Sequence, residues 1–413
     1  MLPTLRWVSL LSVVGIRLQG MKAGRRFRVE LTDDQARLAE QTGDACRAVW
    51  NTGLEQRREY RRRGTWISYN QQARELVEAK TEQLWLTEVP SHCLQQTLRD
   101  LDKACHRYGT FNVRWRTARR WKPSFRFPEG ASMKIEKLNR RKSRVKLPKL
   151  AWVTFRASRC LDGEVIRSAT LSREGKSWFV SFLVDDGKET PARHASPDSA
   201  VGVDRGVVVA VATSAGGLYT REFMTPGEHR RVVRLQRKLC RAGKGSANRN
   251  KTRRALAKVR SRERRRRQDF CVQTAHHLAQ ENALVVLENL AVRNMSRRAQ
   301  PVVDSAKPGQ YLPNGGSAKS GLNRAILSKG WYRFEVALKS ASRYTGTQVV
   351  KVPAAFTSLR CSACGHVDPK SRESQAVFRC TYCSHPAEHA DVNAAKNILA
   401  AGLLAVSACG DDP

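Results

Sequence analysis

The sequence predicts a multidomain α/β protein, and three observations carry that expectation. Two CxxC pairs, Cys361/Cys364 and Cys380/Cys383, stand with fifteen residues between them near the C-terminus. Two apolar stretches, VGVDRGVVVAVAT and ALVVLENL, each carry a single acid, Asp204 and Glu288. Near residue 120 the texture changes from helical periodicity to short strands punctuated by turns. A helical unit, a small β-barrel and an α/β unit with a metal-clipped knuckle follow from these.

From the N-terminus, the apolar run Trp7 to Ile16 behind one arginine resembles a short secretory signal. The charge of the chain and its thiolate pairs weigh against secretion, and Met21 offers a natural start before RRFRVEL. Residues 1–20 are therefore expected to be a disordered extension. The strand at 25–31 is followed by Thr32-Asp-Asp-Gln35, which fits a capping box, and Leu38, Cys46, Val49, Trp50 and Leu54 then recur at helical spacing. Further helical periodicity over 70–86 and 90–108, where Leu94, Leu98 and Leu101 share a face, completes a helical domain over 32–119. Its Arg57 and Arg61 are candidate phosphate contacts, a solvated helix face being the equal alternative.

The strands SFRFP, SRVKLP, WVTFRASR, IRSATLSREG and KSWFVSFLV, joined by the first strand, predict a barrel from 21–31 and 120–190. Lys146, Lys149 and Arg156 interleave there with aromatic residues, as on surfaces that grip nucleic acid by phosphate contact and stacking. PARHASPDSA, 191–200, reads as a linker. Between the two acid-bearing strands a helix over 250–280 carries Arg253, Arg254, Arg260, Arg264, Arg265, Arg266 and Arg267. Like charge this dense repels itself, and a phosphate backbone is its natural relief. The Gly/Pro/Ser-rich 301–323 reads as a mobile loop, followed by a helix over 323–344 and the strand TQVVKV.

Composition narrows the partner. Lysine and arginine outnumber acids 75 to 37, a net charge of +38, which calls for a polyanion and points to nucleic acid. Acidic membrane is the rival polyanion, but no stretch approaches the ~20 apolar residues of a spanning helix. Seven of the eleven cysteines lie outside the CxxC pairs without framework spacing, which argues for a reducing compartment and a cytoplasmic protein, nucleoid-associated when bound to DNA. The chain lacks a P-loop and a serine nucleophile elbow, which removes ATP hydrolysis and acyl transfer.

Four thiolates from two CxxC turns fill the tetrahedral shell of one structural Zn²⁺ and leave no catalytic position open. Disulfides or free thiols are the plainer alternative. Catalysis is sought instead at Asp204, Glu288 and Asp391, from two strands and a helix start. Nucleases of the ribonuclease H type use carboxylates in that arrangement to hold two Mg²⁺ ions ~4 Å apart around the scissile phosphate. Asp391 alone could equally cap its helix.

The motifs GVDRG, LENLAVRNM, AAFTSLRCSACGHVDPKSRESQAVFRC and HADVNAAKNIL resemble the RuvC and zinc-ribbon signatures of the transposon-encoded TnpB (OrfB) family and of the related compact type V CRISPR effectors. VPSHCLQQTLRDLDKA and RVKLPKLAWVTFRASR extend the resemblance upstream. It implies an RNA-guided DNA endonuclease that holds a guide RNA, reads a short target-adjacent motif and cuts double-stranded DNA in one Mg²⁺-dependent RuvC site. It further implies an OB-like wedge barrel (21–31, 120–190), a helical recognition domain (32–119), a RuvC domain (201–355, 388–413) and a zinc-ribbon insert for target nucleic acid (356–387). Asp204, Glu288 and Asp391 correspond to the catalytic acids, and the four cysteines to the zinc ligands. Many relatives carry arginine before the last aspartate, where this chain has Ala390. A monomer is expected, with a dimer as the alternative; the guide would come from a transposon end or a CRISPR array. The rival readings are an RNA-guided binder that silences without cutting and a guide-free zinc-ribbon DNA-binding transposition accessory protein.

Overall fold

Thr32 does what its sequence context requires: its side chain accepts from the Gln35 amide while the Gln35 side chain accepts from the Thr32 amide. That capping box ends β1 (Lys22–Glu30) and starts α1 (Asp33–Arg62). The computed structural model describes residues 21–307 and 309–410, so the expected extension 1–20 lies outside the described residues. The chain divides into two units at Lys188/Glu189.

In the first unit, α2 (Tyr69–Glu82) and α3 (Ser91–Tyr108) follow α1, and Leu54, Leu94, Leu98 and Leu101 are buried among them. Then come β2 (Ser124–Phe127), β3 (Ile135–Lys137), β4 (Lys142–Leu147), β5 (Ala151–Arg156), β6 (Val165–Glu174) and β7 (Ser177–Asp185). With β1 they form one antiparallel sheet in the order β2-β6-β7-β1-β5-β4-β3. Alternation buries one face: Phe27, Phe155 and Phe182 meet with ring centroids 5.1–6.0 Å apart. The end strands β2 and β3 do not pair with each other, so the strand pairing gives a continuous sheet rather than a closed ladder. β3 is short and largely exposed, with few groups to offer a closing partner.

Arg57 corrects the sequence reading. It is 1% exposed, donates from Nε to Gln72 Oε1 at 2.7 Å and lies 2.8 Å from the Asp102 carboxylate. It ties α1 to α2 and α3, and no phosphate can reach it. Sequence spacing put it on a charged face because its neighbours Arg61, Arg62 and Arg63 are exposed.

The second unit contains β8 (Ala200–Asp204), β9 (Val211–Thr213), β10 (Leu218–Tyr219), α4 (Pro226–Arg241), α5 (Ala247–Glu281) and β11 (Leu284–Glu288). After α6 (Val292–Met295), β12 (Val302–Val303) and β13 (Tyr311–Leu312) come α7 (Gly316–Lys329), α8 (Trp331–Thr345), β14 (Gln348–Val352), β15 (Val377–Phe378), β16 (Glu388–His389) and α9 (Ala390–Gly410). The expected loop over 301–323 is thus a short β12/β13 hairpin and the start of a helix. Asn314 pins it, donating to Gln300 O at 2.7 Å and accepting from the Gly316 amide. The single helix expected over 323–344 is broken at Gly330, whose φ of 79° is left-handed.

The main sheet runs β10-β9-β8-β11-β14, with β8, β11 and β14 parallel. All five residues of β11 are buried, which is why its first four are an unbroken apolar run before Glu288. Phe270, Cys271, Ala275, Phe334 and Leu338 from α5 and α8 form a core with Val203, Val285 and Leu287. The helix α9 packs so closely on β8 that a Cβ on Gly202 would lie 2.0 Å from Ala395 O. That approach sets where α9 begins, and hence where Asp391 stands.

Candidate active site and metal centre

Parallel pairing places Val203 beside Leu287, so the next residues, Asp204 and Glu288, end adjacent strands at the same edge. Asp391, in the first turn of α9, is brought to that edge. Glu288 is 7% and Asp391 3% exposed. Burial, then the charges of Glu288 and Asp391, push the Asp204 carboxyl up to about 7, against opposing pulls from the Arg205 amide and the Arg372 guanidinium. The three acids are therefore electrostatically one cluster, and a bound cation would relieve their mutual repulsion.

Two of the three carboxylates are held by side chains. Glu288 Oε1 accepts from Thr357 Oγ1 at 2.7 Å, and Asp391 Oδ1 from Arg372 Nη2 at 3.1 Å. Asp391 faces this guanidinium from the second position of α9. Buried Arg205 donates through Nη2 to the main-chain oxygen of Glu288, tying β8 to β11 behind the acids. Trp331 Nε1 donates to Gly206 O at 3.2 Å and fixes the turn after Asp204. Two buried amides complete the support: Asn393 accepts from the Ser362 amide and donates to Arg360 O, and Asn397 donates to Thr357 O and Arg360 O, all at 2.7–3.0 Å.

Thr357, Arg372, Asn393 and Asn397 were not singled out from the sequence. Asn393 and Asn397 could have been: buried amides at i and i+4 on a helix need partners off it. Arg372 had no such signal, because its role comes from a loop that folds back on α9. Ala390 is fully buried against Cys361, Phe378 and Cys380, so the guanidinium here is the one from Arg372.

The four thiols form a second, tighter set, with all sulfurs within 4.8 Å of one another. Cys361 and Cys383 sulfurs are 3.8 Å apart, Cys364 and Cys380 3.7 Å. A zinc tetrahedron with Zn–S bonds of about 2.3 Å has an edge of about 3.8 Å, so the set fits one Zn²⁺. The Cys383 and Tyr382 amides donate to Cys380 Sγ, and the first of these chiefly brings that thiol down to about 6, readying it as a ligand. Gly365, at φ 77°, turns the first knuckle and donates to Cys361 O. Among the described residues no other His, Cys, Asp or Glu group closes this far, so the three acids are the looser set. Their hard oxygens suit Mg²⁺.

The basic candidates divide. Arg61 lies over Trp66 at 4.2 Å, Lys146 is exposed, Arg156 pairs with Glu30 at 3.1 Å, and Lys149 donates to Thr87 O. On α5, Arg253, Arg254, Arg264 and Arg265 are exposed. Arg260, Arg266 and Arg267 have acid partners within the second unit: Arg260 and Arg267 pair with Glu263, and Arg266 with Glu228.

Three family models match the chain: the OrfB/IS605 "Helix-turn-helix domain" over 21–65, the OrfB/IS605 "Probable transposase" over 181–299 and the "Cas12f1-like, TNB domain" over 331–398. An Escherichia coli K12 protein described as "Putative RNA-guided DNA endonuclease InsQ" is 36% identical over 96% of this chain and 94% of its own length. A Streptomyces pristinaespiralis "Putative RNA-guided DNA endonuclease" is 34% identical over 95% and 92%. A Cas12f1 endodeoxyribonuclease of Sulfoacidibacillus thermotolerans is 36% identical over 18% of each chain. Among the described residues no helix is long and apolar enough to cross a membrane.

Proposed function

This chain belongs to the TnpB/OrfB (IS605) family of RNA-guided endonucleases, related to the Cas12f effectors, and from that premise we propose that it cuts double-stranded DNA chosen by a bound guide RNA, using Asp204, Glu288 and Asp391. The observation that carries this reading is the convergence of three carboxylates at one strand edge, with Asp204 raised to about 7 by burial and by the other two.

Two Mg²⁺ ions on these oxygens would supply the Lewis acidity and activated water for phosphodiester hydrolysis. The chain's own residues do the rest. Thr357 orients Glu288, and Arg372 pairs with Asp391 and fixes its carboxylate. Asp204 gives up its proton on cation binding. The zinc knuckle, closed and therefore structural, sets the entry to α9 seven residues after Cys383. In this reading the seven-stranded sheet is the OB-like wedge, α1–α3 the recognition helices and 356–387 the ribbon that meets target nucleic acid. The protein works in the cytoplasm as a monomer on one guide RNA. The intact triad favours cutting over silencing.

The test is purification with the DNA that flanks its gene, sequencing of copurifying RNA, and a Mg²⁺-dependent cleavage assay on matching duplex. A discrete RNA and guided cuts that vanish in Asp204→Ala are expected. Cutting retained in that variant removes Asp204 from the site.

A further inference from the structure

Past Asp204 the chain runs through an irregular turn, Arg205 to Val208, and past Glu288 it runs through α6 to Arg297. The first of these segments reaches all three acid residues. It follows Asp204 directly, Arg205 donates to Glu288 O, and a Cβ added to Gly206 would stand 3.5 Å from Asp391 Oδ2. A shift of this turn therefore moves the whole site.

The turn is held from the joint between α7 and α8. Gly206 O accepts from Trp331 Nε1 at 3.2 Å, and Val208 O from Lys329 Nζ at 3.1 Å and Thr220 Oγ1 at 3.4 Å. Glu335 Oε2 lies 3.6 Å from Arg205 Nη1, while its other oxygen takes Lys351 and Lys339 at 2.6 and 3.1 Å. Gly330, left-handed at φ 79°, ends α7 and starts α8 in one residue, which brings Lys329 and Trp331 to the same turn. The earlier part of α7 grips the segment after Glu288: Lys319 Nζ donates to Met295 O at 3.0 Å and Asn323 Nδ2 to Arg297 O at 2.9 Å. Among the described residues α7 buries only Ile326, so core packing does not explain its place. Its polar bonds do, and between Lys319 and Lys329 it rises about 15 Å from one segment to the other.

We infer that α7 is a strut across the two segments that follow Asp204 and Glu288, and that it sets the spacing of those carboxylates. Trp331 is its positioning residue at the Asp204 end and Asn323 at the Glu288 end. The inference rests on the nuclease reading of the three acids and adds to it residues that touch neither cation nor substrate. Cation ligands on separate elements hold a metal only if something fixes their separation, and the parallel pairing of β8 with β11 ends at Val203 and Leu287, one residue before the acids.

The experiment uses the full chain with its copurifying RNA and matching duplex. It compares Trp331→Phe, which keeps a buried ring but removes the indole N–H, with Asn323→Ala and the double variant. Two quantities are read: the Mg²⁺ concentration for half-maximal cleavage, and backbone hydrogen exchange of the metal-free protein at 205–209 and 293–298. Trp331→Phe should raise the Mg²⁺ requirement about tenfold with guided DNA affinity unchanged. Exchange should quicken at both segments in each single variant, because a strut released at one end frees the other. Asn323 and Trp331 are about 12 Å apart along the helices, where independent props would add, so a double variant little worse than Trp331→Phe is expected. Lys329→Met carries the same expectation and stands in if Trp331→Phe does not fold. Faster exchange confined to the segment beside each substitution overturns the inference, as do additive shifts in the Mg²⁺ requirement or a lower melting temperature with both quantities unmoved. An unsubstituted chain that makes no guided cut overturns the nuclease reading instead, and exchange alone then decides the strut.

Discussion

The four thiols of the second unit form a ligand set that fits zinc, and the three carboxylates are the set proposed for Mg²⁺, yet the two are built to opposite ends. The thiols sit at tetrahedral edge distances, carry short knuckles and leave no coordination place free. The carboxylates stand further apart, on three elements, with Glu288 and Asp391 each held by a separate side chain. A closed set fixes geometry, and an open one keeps room for water and phosphate. The difference teaches that the site's precision comes from the closed set: the knuckle and the Asn393/Asn397 clamp place α9, and α9 places Asp391.

The comparison breaks most completely at the open set. Asp204→Ala removes one cation ligand while leaving the knuckle untouched. Cleavage should fall below detection with guided DNA binding and zinc content unchanged, read by a nuclease assay and by metal analysis. Loss of zinc in that variant would mean the two sets are not separable.

The closed set should fail differently. Cys361→Ser leaves three thiolates, so zinc content should drop below one per chain and the melting temperature should fall, because metal affinity here is folding free energy. Strong chelation should reproduce this slowly, whereas removing Mg²⁺ should stop cleavage at once and be reversed by adding it back. A variant with full zinc and normal melting would exclude Cys361 from the metal shell.

How legible all this was in the sequence follows the same line. The thiols were legible because two knuckles state their whole geometry within 23 residues, Cys361 to Cys383. That Asp204 and Glu288 end neighbouring strands was legible because a lone acid in an apolar strand is conspicuous. The basic residues were not, since a charge run says nothing about which side chains find acids: Arg57 went to Asp102, Arg266 and Arg267 to Glu228 and Glu263. Arg372 was invisible because its partner lies nineteen residues on and is joined only by the folding of the ribbon. The β12/β13 hairpin and early start of α7 were hidden by a composition rich in turn formers.

The link between the sets should be sensitive to a single amide. Asn393 is fully buried and bonds both the Ser362 amide and Arg360 O. Asn393→Ala leaves both groups unpaired, at a cost of about 1–3 kcal/mol each. Melting temperature should fall modestly with zinc still bound, while cleavage falls more than stability alone explains, because Asp391 drifts. Equal cleavage at a lower melting temperature would make the clamp merely structural.

The smallest effect concerns protons. Asp204, ordinarily near 3.8, is held at about 7 in the folded, metal-free protein. A raised acid binds more protons folded than unfolded, so the metal-free protein should lose stability from about pH 4 to 7 and change little above. The same proton competes with Mg²⁺, whose apparent affinity should rise with pH and level off above about 7. Removing a neighbouring negative charge with Asp391→Asn should lower the Asp204 value, and removing the Arg372 cation with Arg372→Ala should raise it. Carboxyl infrared titration of the apo protein reads both shifts. No movement in either variant would show that burial alone sets the Asp204 value, and that the open set lacks the electrostatic unity that distinguishes it from the thiols.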